Sequence, residues 1–259
     1  MVGFLVFGGI LFIVGVIVAL TGLKNYRRRQ RILATPTSAI AQAPGNAPVE
    51  IKGRIVPGEQ GVLQTPFSGR HAVWCRVSVL EYRSSGRSGH WVTILREVDQ
   101  REFFVDDGSG QMAKIVPAGA EVILDQQQIA SSGTFNDAPP HLQAFLASRG
   151  HSTTSFLGFN KSMRYQEEVL APGDPLYALG PSRRDAGPPV HDGYRMAPSS
   201  QLVLYPGPGE VHELILTNKT EEQLVANLKW GLLGGIIMAA IGGGLGFLGV
   251  VIAILDAVL

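Results

Sequence analysis

The sequence predicts two transmembrane helices bracketing a mainly-β soluble domain of small-barrel or sandwich-like form, with an insertion of loop and short helix. Three observations carry this. An uncharged run from Val2 to Leu23 opens the chain, and a second runs from Trp230 to Leu255. Between them, short apolar stretches are separated by turn residues, in keeping with 32 Gly and 16 Pro.

The first run is long enough, at about 1.5 Å per residue, to cross a hydrocarbon core of ~30 Å. Its Leu, Ile, Phe and Val residues favour insertion by about 5–9 kcal/mol before the glycines are discounted. No basic residue precedes it, whereas Lys24, Arg27, Arg28, Arg29 and Arg31 follow it directly. A cleaved signal has the opposite order, so residues 2–23 read as a retained anchor. Basic residues beside a span stay cytoplasmic, and these five are the expected membrane-surface and orientation residues. They place the β domain in the cytoplasm, at a cell inner membrane, with both termini outside.

Residues 24–48 read as the basic stop and a flexible linker rich in Ala, Thr, Pro, Ser, Gln and Gly. The β domain is expected over 49–217. Val49 to Val56 alternates as a half-buried strand does, and Ala72 to Tyr82 is the longest strand pattern. Ser84 to Gly89 reads as a mobile hairpin tip before a return strand, Trp91 to Val98. Arg101 to Val105 and Gln111 to Val116 flank Asp106-Asp107-Gly108-Ser109-Gly110, a turn of the Asp-Gly type, and Glu121 to Leu124 follows. An insertion spans about 126–161, where Pro139-Pro140 introduce two helical turns with Leu142, Phe145 and Leu146 on one side. Strands resume over Met163 to Leu170 and Leu176 to Gly180. Pro181 to Ser200 reads as loop, and Gln201 to Tyr205 with Val211 to Thr217 as a closing hairpin. An amphipathic helix is expected over 218–229, capped by Asn218 with Glu221 or Thr220 with Gln223, leading into a second span at 230–255.

Composition narrows the function. A net charge of +1 gives no global field for nucleic acid, and none is expected as a partner. One cysteine, Cys75, excludes an internal disulfide or a multi-thiolate zinc site. It falls in a strand pattern and reads as a small buried hydrophobe rather than a nucleophile. The Asp106–Gly110 segment lacks the spacing of a calcium loop, and the six histidines form no ligand pair. No catalytic, cofactor-binding or metal-ligating residue is therefore expected, and no cofactor. Gly231, Gly235, Gly242 and Gly246, spaced four apart in two pairs, are the expected helix-packing residues. Their partner is either the first span, through Gly8, Gly9 or Gly15, or another copy in a homo-oligomer.

Laid end to end, Val49–Val56, Thr65-Pro66-Phe67-Ser68-Gly69-Arg70-His71-Ala72-Val73-Trp74-Cys75-Arg76-Val77, Phe103–Gly110 and Arg164–Leu170 with Gly173 and Leu176–Gly180 resemble the GIDE/MULAN-type membrane proteins. That resemblance implies two spans around a β-rich "beside a membrane" domain. Its eukaryotic members look like E3 ubiquitin ligases because a zinc-binding RING follows the second span. One cysteine cannot supply that ligand set, and only Asp256 to Leu259 follow the second apolar run. The expectation is a RING-less, prokaryotic-like member: a scaffold presenting a β-rich binding domain to an unidentified protein partner at the lipid bilayer. The alternative is ubiquitin-transferase activity with a RING supplied from elsewhere.

Overall fold

In the computed structural model of the chain, the residues described are 2–86, 88–133, 135–154, 160–192, 195–208, 213–220, 223, 236–244 and 247. They divide into two units, Met1–Pro36 with Thr220–Leu259, and Thr37–Lys219.

In the first unit the apolar run forms α1 (Val2–Ala34), which carries on through the basic residues to the turn before Pro36. A proline disfavours helical geometry in the residue before it, so the helix ends there. Thr35 donates both its N–H and its hydroxyl to Arg31 O, at 3.1 and 2.9 Å. Within the run, Thr21 Oγ1 donates to Ile17 O and Val18 O, so this hydroxyl is satisfied by its own helix. Val6–Leu23 is the one segment among the described residues that is helical, long and apolar enough to cross a membrane. Of the second apolar run, 236–244 and Phe247 are described and helical. Two complete bracketing spans are therefore not established by the fold, because most of the second lies outside the described residues.

The second unit is mainly β. Its strands begin with β1 (Pro48–Pro57), β2 (Leu63–Gln64), β3 (His71–Ala72), β4 (Trp74–Ser85), β5 (Ser88–Gln100), β6 (Phe103–Asp106) and β7 (Met112–Ile115). They continue with β8 (Glu121–Ile123), β9 (Gln127–Ser132), the helix α2 (Pro140–Ala147), β10 (Met163–Leu170), β11 (Pro175–Asp192), β12 (Arg195–Leu204) and β13 (Ile215–Thr217). Strands β1, β6, β7, β12 and β11 pair in that order, and β11 pairs back onto β1, closing a five-stranded barrel. Strands β13 and β8 extend the sheet from β11. The alternation read along β1 points Val49, Ile51 and Ile55 inward, where they meet Phe103, Val105 and Ile115 in a filled core.

The second sheet runs β5-β4-β10-β9. One face packs on α2: Val77, Val79, Met163 and Tyr165 meet Leu142 and Leu146, both fully buried. Phe67 stands edge-on to Phe145 and Tyr165, with centroids 5.1 and 5.7 Å apart. The helix sits where Pro139-Pro140 predicts it, with Pro140 in its first turn, where the missing N–H costs nothing.

Several expectations are corrected. Ser84 to Gly89 is the tip of a hairpin, as read, but the pairing reaches further into it than expected: Ser84 pairs with Gly89 and Ser85 with Ser88, and Gly86 has φ +62. Within the insertion, 127–132 is a full strand on β10. Most of the segment 181–200, read as loop, is instead the long β11–β12 pair. The predicted closing hairpin does not form, because β13 pairs with β11 and, in parallel, with β8. Residues 37–47, read as flexible linker, belong to the β unit, with Ile40 and Ala43 in the barrel core. The reciprocal Thr220–Gln223 bonds (3.3 and 3.4 Å) form a capping box; the rest of the helix predicted there lies outside the described residues, apart from Gln223.

Candidate interaction surfaces

In the first unit, the five basic residues lie in the C-terminal third of α1, and Arg31 is in its last turn, where a cation opposes the partial negative charge of the helix end. Arg27 is exposed. Of the four predicted packing glycines, Gly231, Gly235 and Gly246 lie outside the described residues. Gly242 is at a helix contact. A Cβ built there would fall 2.4 Å from Phe12 N, and one at Gly15 would fall 2.3 Å from Ala239 N. Between these two contacts the numbering falls in α1 as it rises in the other segment, so the helices run antiparallel with backbones touching. Gly9 has nothing within 4 Å and takes no part. The outer surfaces are apolar: Phe7, Ile10, Ile13, Ile17 and Leu20 are each more than half exposed, and Ile241 likewise.

In the β unit, the segment 37–47 is strapped down from three directions. Arg184 Nη2 donates to the carbonyls of Ile40, Ala41 and Ala43, at 3.2, 3.3 and 2.8 Å. Asp107 Oδ2 accepts from Ile40 N at 2.7 Å, and Ser182 Oγ bonds to the carbonyls of Pro44 and Ala47. Burial alone would raise the Asp107 carboxyl, but hydrogen bonds from the Ser109 side chain and the Ile40 amide outweigh it and hold the group below the usual carboxylate range. The Asp106–Gly110 turn thus serves as a clasp. Glu50, almost fully buried, accepts from Thr37 Oγ1 and from Tyr177 Oη (2.7 Å), and Lys52 Nζ lies 3.2 Å away. Sequence reasoning missed Arg184 and Glu50, since nothing local marks either.

A second buried carboxylate, Glu167, holds the loop 65–70. It accepts from Phe67 N (2.7 Å), Ser68 N (3.1 Å) and Ser68 Oγ (2.6 Å). Beside this loop lies an open depression of ≈ 460 Å³, bordered by Gln64 to Gly69 and His141. His141 Nε2 sits 3.1 Å from Phe67 O.

The face of the second sheet away from α2 carries aromatic and cationic groups. Tyr82 and Trp91 are cross-strand partners with centroids 5.3 Å apart, and the Arg164 guanidinium lies 4.0 Å from the Trp91 ring. At the same strand end but on the α2 side, Lys161 and Arg83 both reach Glu81, at 3.2 Å.

Cys75 is buried between Leu63, Ala72 and Val169. Burial pushes its thiol up to about 11. A thiol that forms a thioester needs the opposite setting, exposed and electropositive. Among the described residues, no three His, Cys, Asp or Glu side chains gather as a metal set.

With that geometry in place, comparison with known families decides the lineage: the GIDE family, described as E3 ubiquitin ligase, matches residues 77–248, more than half of the chain. The chain belongs to the GIDE family. The match starts within β4 and takes in the rest of the β unit and most of the second apolar run. Comparison with curated proteins gave no match, and comparison with solved structures gave none.

Proposed function

We propose that this GIDE-family chain is a membrane-anchored binding module that presents its β unit to a protein partner in an E3-ubiquitin-ligase-related role. In this reading α1 and the second apolar run cross one bilayer as an antiparallel pair. The observation that carries it is the pair of close contacts, Gly15 against Ala239 and Gly242 against Phe12, beneath an apolar outer surface. In water, an exposed apolar area of that kind is unfavourable; in lipid it is the required exterior, and close backbone packing is what joins helices there. The basic residues after the apolar run favour, by the positive-inside rule, a cytoplasmic β unit with both termini outside. The ends of the β unit suit this. Thr37 bridges to Glu50 of β1, Lys52 of β1 pairs with Tyr177, and Tyr177 with Thr217, so the chain arrives and leaves three strand spacings apart, ~14 Å at ordinary strand spacing.

Cysteine accessibility tests the arrangement. In a Cys75→Ala background, Ser84→Cys reacts with an impermeant thiol reagent only after lysis of the cells. Labelling of intact cells overturns the orientation.

The family description favours a second reading, in which the chain assists transfer with a RING supplied by another chain. Reconstituted ubiquitin discharge with this chain alone, with and without zinc, separates the two: turnover by the chain alone refutes the binding-module reading.

A further inference from the structure

One end of the second sheet carries apolar and cationic side chains together. Beyond β9, Gly133 and Asn136 close a tight turn: Gly133 N donates to Asn136 O (2.8 Å) and Asn136 N to Gly133 O (3.0 Å). Asn136 Nδ2 also donates to Ser131 O at 3.1 Å. This braced turn presents Phe135, whose side chain is 100% exposed. A phenylalanine exposed to this degree leaves its apolar area free to be buried against something outside the unit.

The neighbouring strand ends supply a second, independent feature. Met163 is opposite Ser132 on one side and Glu81 on the other, and Tyr82 N donates to Ser162 O, so β9 and β10 finish level with Glu81 while the β4–β5 hairpin runs on past them. At that end stand the Tyr82–Trp91 pair with Arg164 on the Trp91 ring, and Lys161 and Arg83 shared by Glu81. Trp and Tyr with interleaved cations are the side chains that settle at a bilayer's headgroup level, and an exposed Phe ahead of them suits the acyl boundary.

We infer that this end of the sheet is a second membrane contact, docking on an anionic bilayer with Phe135 inserted and Trp91, Tyr82, Lys161 and Arg83 at the headgroups. The inference rests on the membrane reading above. A lone phenylalanine and a few cations bind a vesicle weakly from solution. On an anchored chain the same contact is intramolecular, so the effective concentration makes it count.

The test uses the full chain reconstituted in vesicles of phosphatidylcholine with phosphatidylglycerol. An environment-sensitive fluorophore is placed in turn on Phe135→Cys, on Val62→Cys as an exposed reference, and on Ile17→Cys in α1; the unsubstituted chain controls for labelling at buried Cys75. The expected result is quenching by spin-labelled lipid at 17 and 135 and by aqueous iodide at 62. Replacing Lys161 and Arg83 with serine should lower the docking equilibrium about thirtyfold, at roughly tenfold or less per cation. Absence of lipid quenching at 17 overturns the membrane reading and this inference with it. Quenching at 17 with iodide access at 135 overturns the inference alone. Shielding at 135 in native membranes but not in pure lipid assigns the surface to a protein partner and likewise overturns it.

Discussion

Gly15 of α1 and Gly242 of the second apolar run sit where two antiparallel helix backbones touch, each leaving no room for a Cβ against the other helix. Small residues at such a point let dispersion act over backbone atoms, which is the main attraction between helices in lipid. Gly242→Ala places a methyl 2.4 Å from Phe12 N, so the helices must separate. The expected cost is about 1–3 kcal/mol of hairpin stability. Gly244→Ala, with nothing within 4 Å of the new methyl, should instead be neutral or stabilise by up to ~1 kcal/mol through helix propensity. Denaturant titration of both variants in micelles, followed by far-ultraviolet circular dichroism, separates them; equal midpoints would refute the contact.

The Glu167 carboxylate collects three donors from Phe67 and Ser68 inside the second sheet's core. Bonds to a charged acceptor contribute about 1.5–3 kcal/mol each, and buried donors left unmet add a desolvation cost. Glu167→Ala should therefore destabilise the β unit by at least ~3 kcal/mol, and Glu167→Gln by less, since one oxygen still accepts. Amide exchange at Phe67 and Ser68 should accelerate in both, ahead of the strand amides.

Much of this fold was legible, and the misses share a cause. Val49, Ile51 and Ile55 in β1, and Leu142 and Leu146 after Pro139-Pro140, follow periods that any local window reveals. Residues 181–200 look like loop because Pro, Gly, Ser and Arg dominate them. What makes 182–184 a strand is remote: Ser182 reaches Pro44 and Ala47, and Arg184 reaches Ile40, Ala41 and Ala43. The strap itself looked flexible for the same reason, since its bonds end on residues about 140 positions away. Of the packing glycines, spacing singled out Gly242 but not its partner residue; within the chain it meets Phe12 of α1.

Arg184 offers a sharper test of the strap. Its planar fork meets several carbonyls at once, which an ammonium on a flexible stem cannot reproduce. Arg184→Lys should cost about 1–3 kcal/mol despite conserving charge. Limited proteolysis should then cut within 37–47 in the lysine variant and leave the parent intact there.

The strap should also respond to acid through Asp107. Its folded carboxyl titrates below the ordinary value of about 3.9, so its contribution is complete above that pH and is lost as pH falls through the lower, folded value. Acidification from pH 5 to pH 3 should therefore loosen 37–47 in the parent. Asp107→Asn should be less stable at neutral pH and should lose this part of the acid sensitivity. Stability measured by urea midpoint across that range decides it; parallel profiles for parent and variant would refute the role.

Cys75 gives the last prediction, because its chemistry bears on how a GIDE-family chain with one cysteine can act. The thiol is buried in a strand and pushed up to about 11, so at pH 7.5 the thiolate that would attack a reagent or a ubiquitin thioester is scarce and enclosed. An aromatic disulfide reagent should react with the folded chain orders of magnitude more slowly than with the urea-unfolded chain. Cys75→Ala should lose only about 1 kcal/mol from its small cavity, whereas Cys75→Ser should lose more by burying a hydroxyl among Leu63, Ala72 and Val169. If the alanine variant keeps partner binding intact, the cysteine's part is packing. If it abolishes a ubiquitin-dependent step while the fold is unchanged, the thiol is reached in some open state, and the binding-module reading gives way to a transferase.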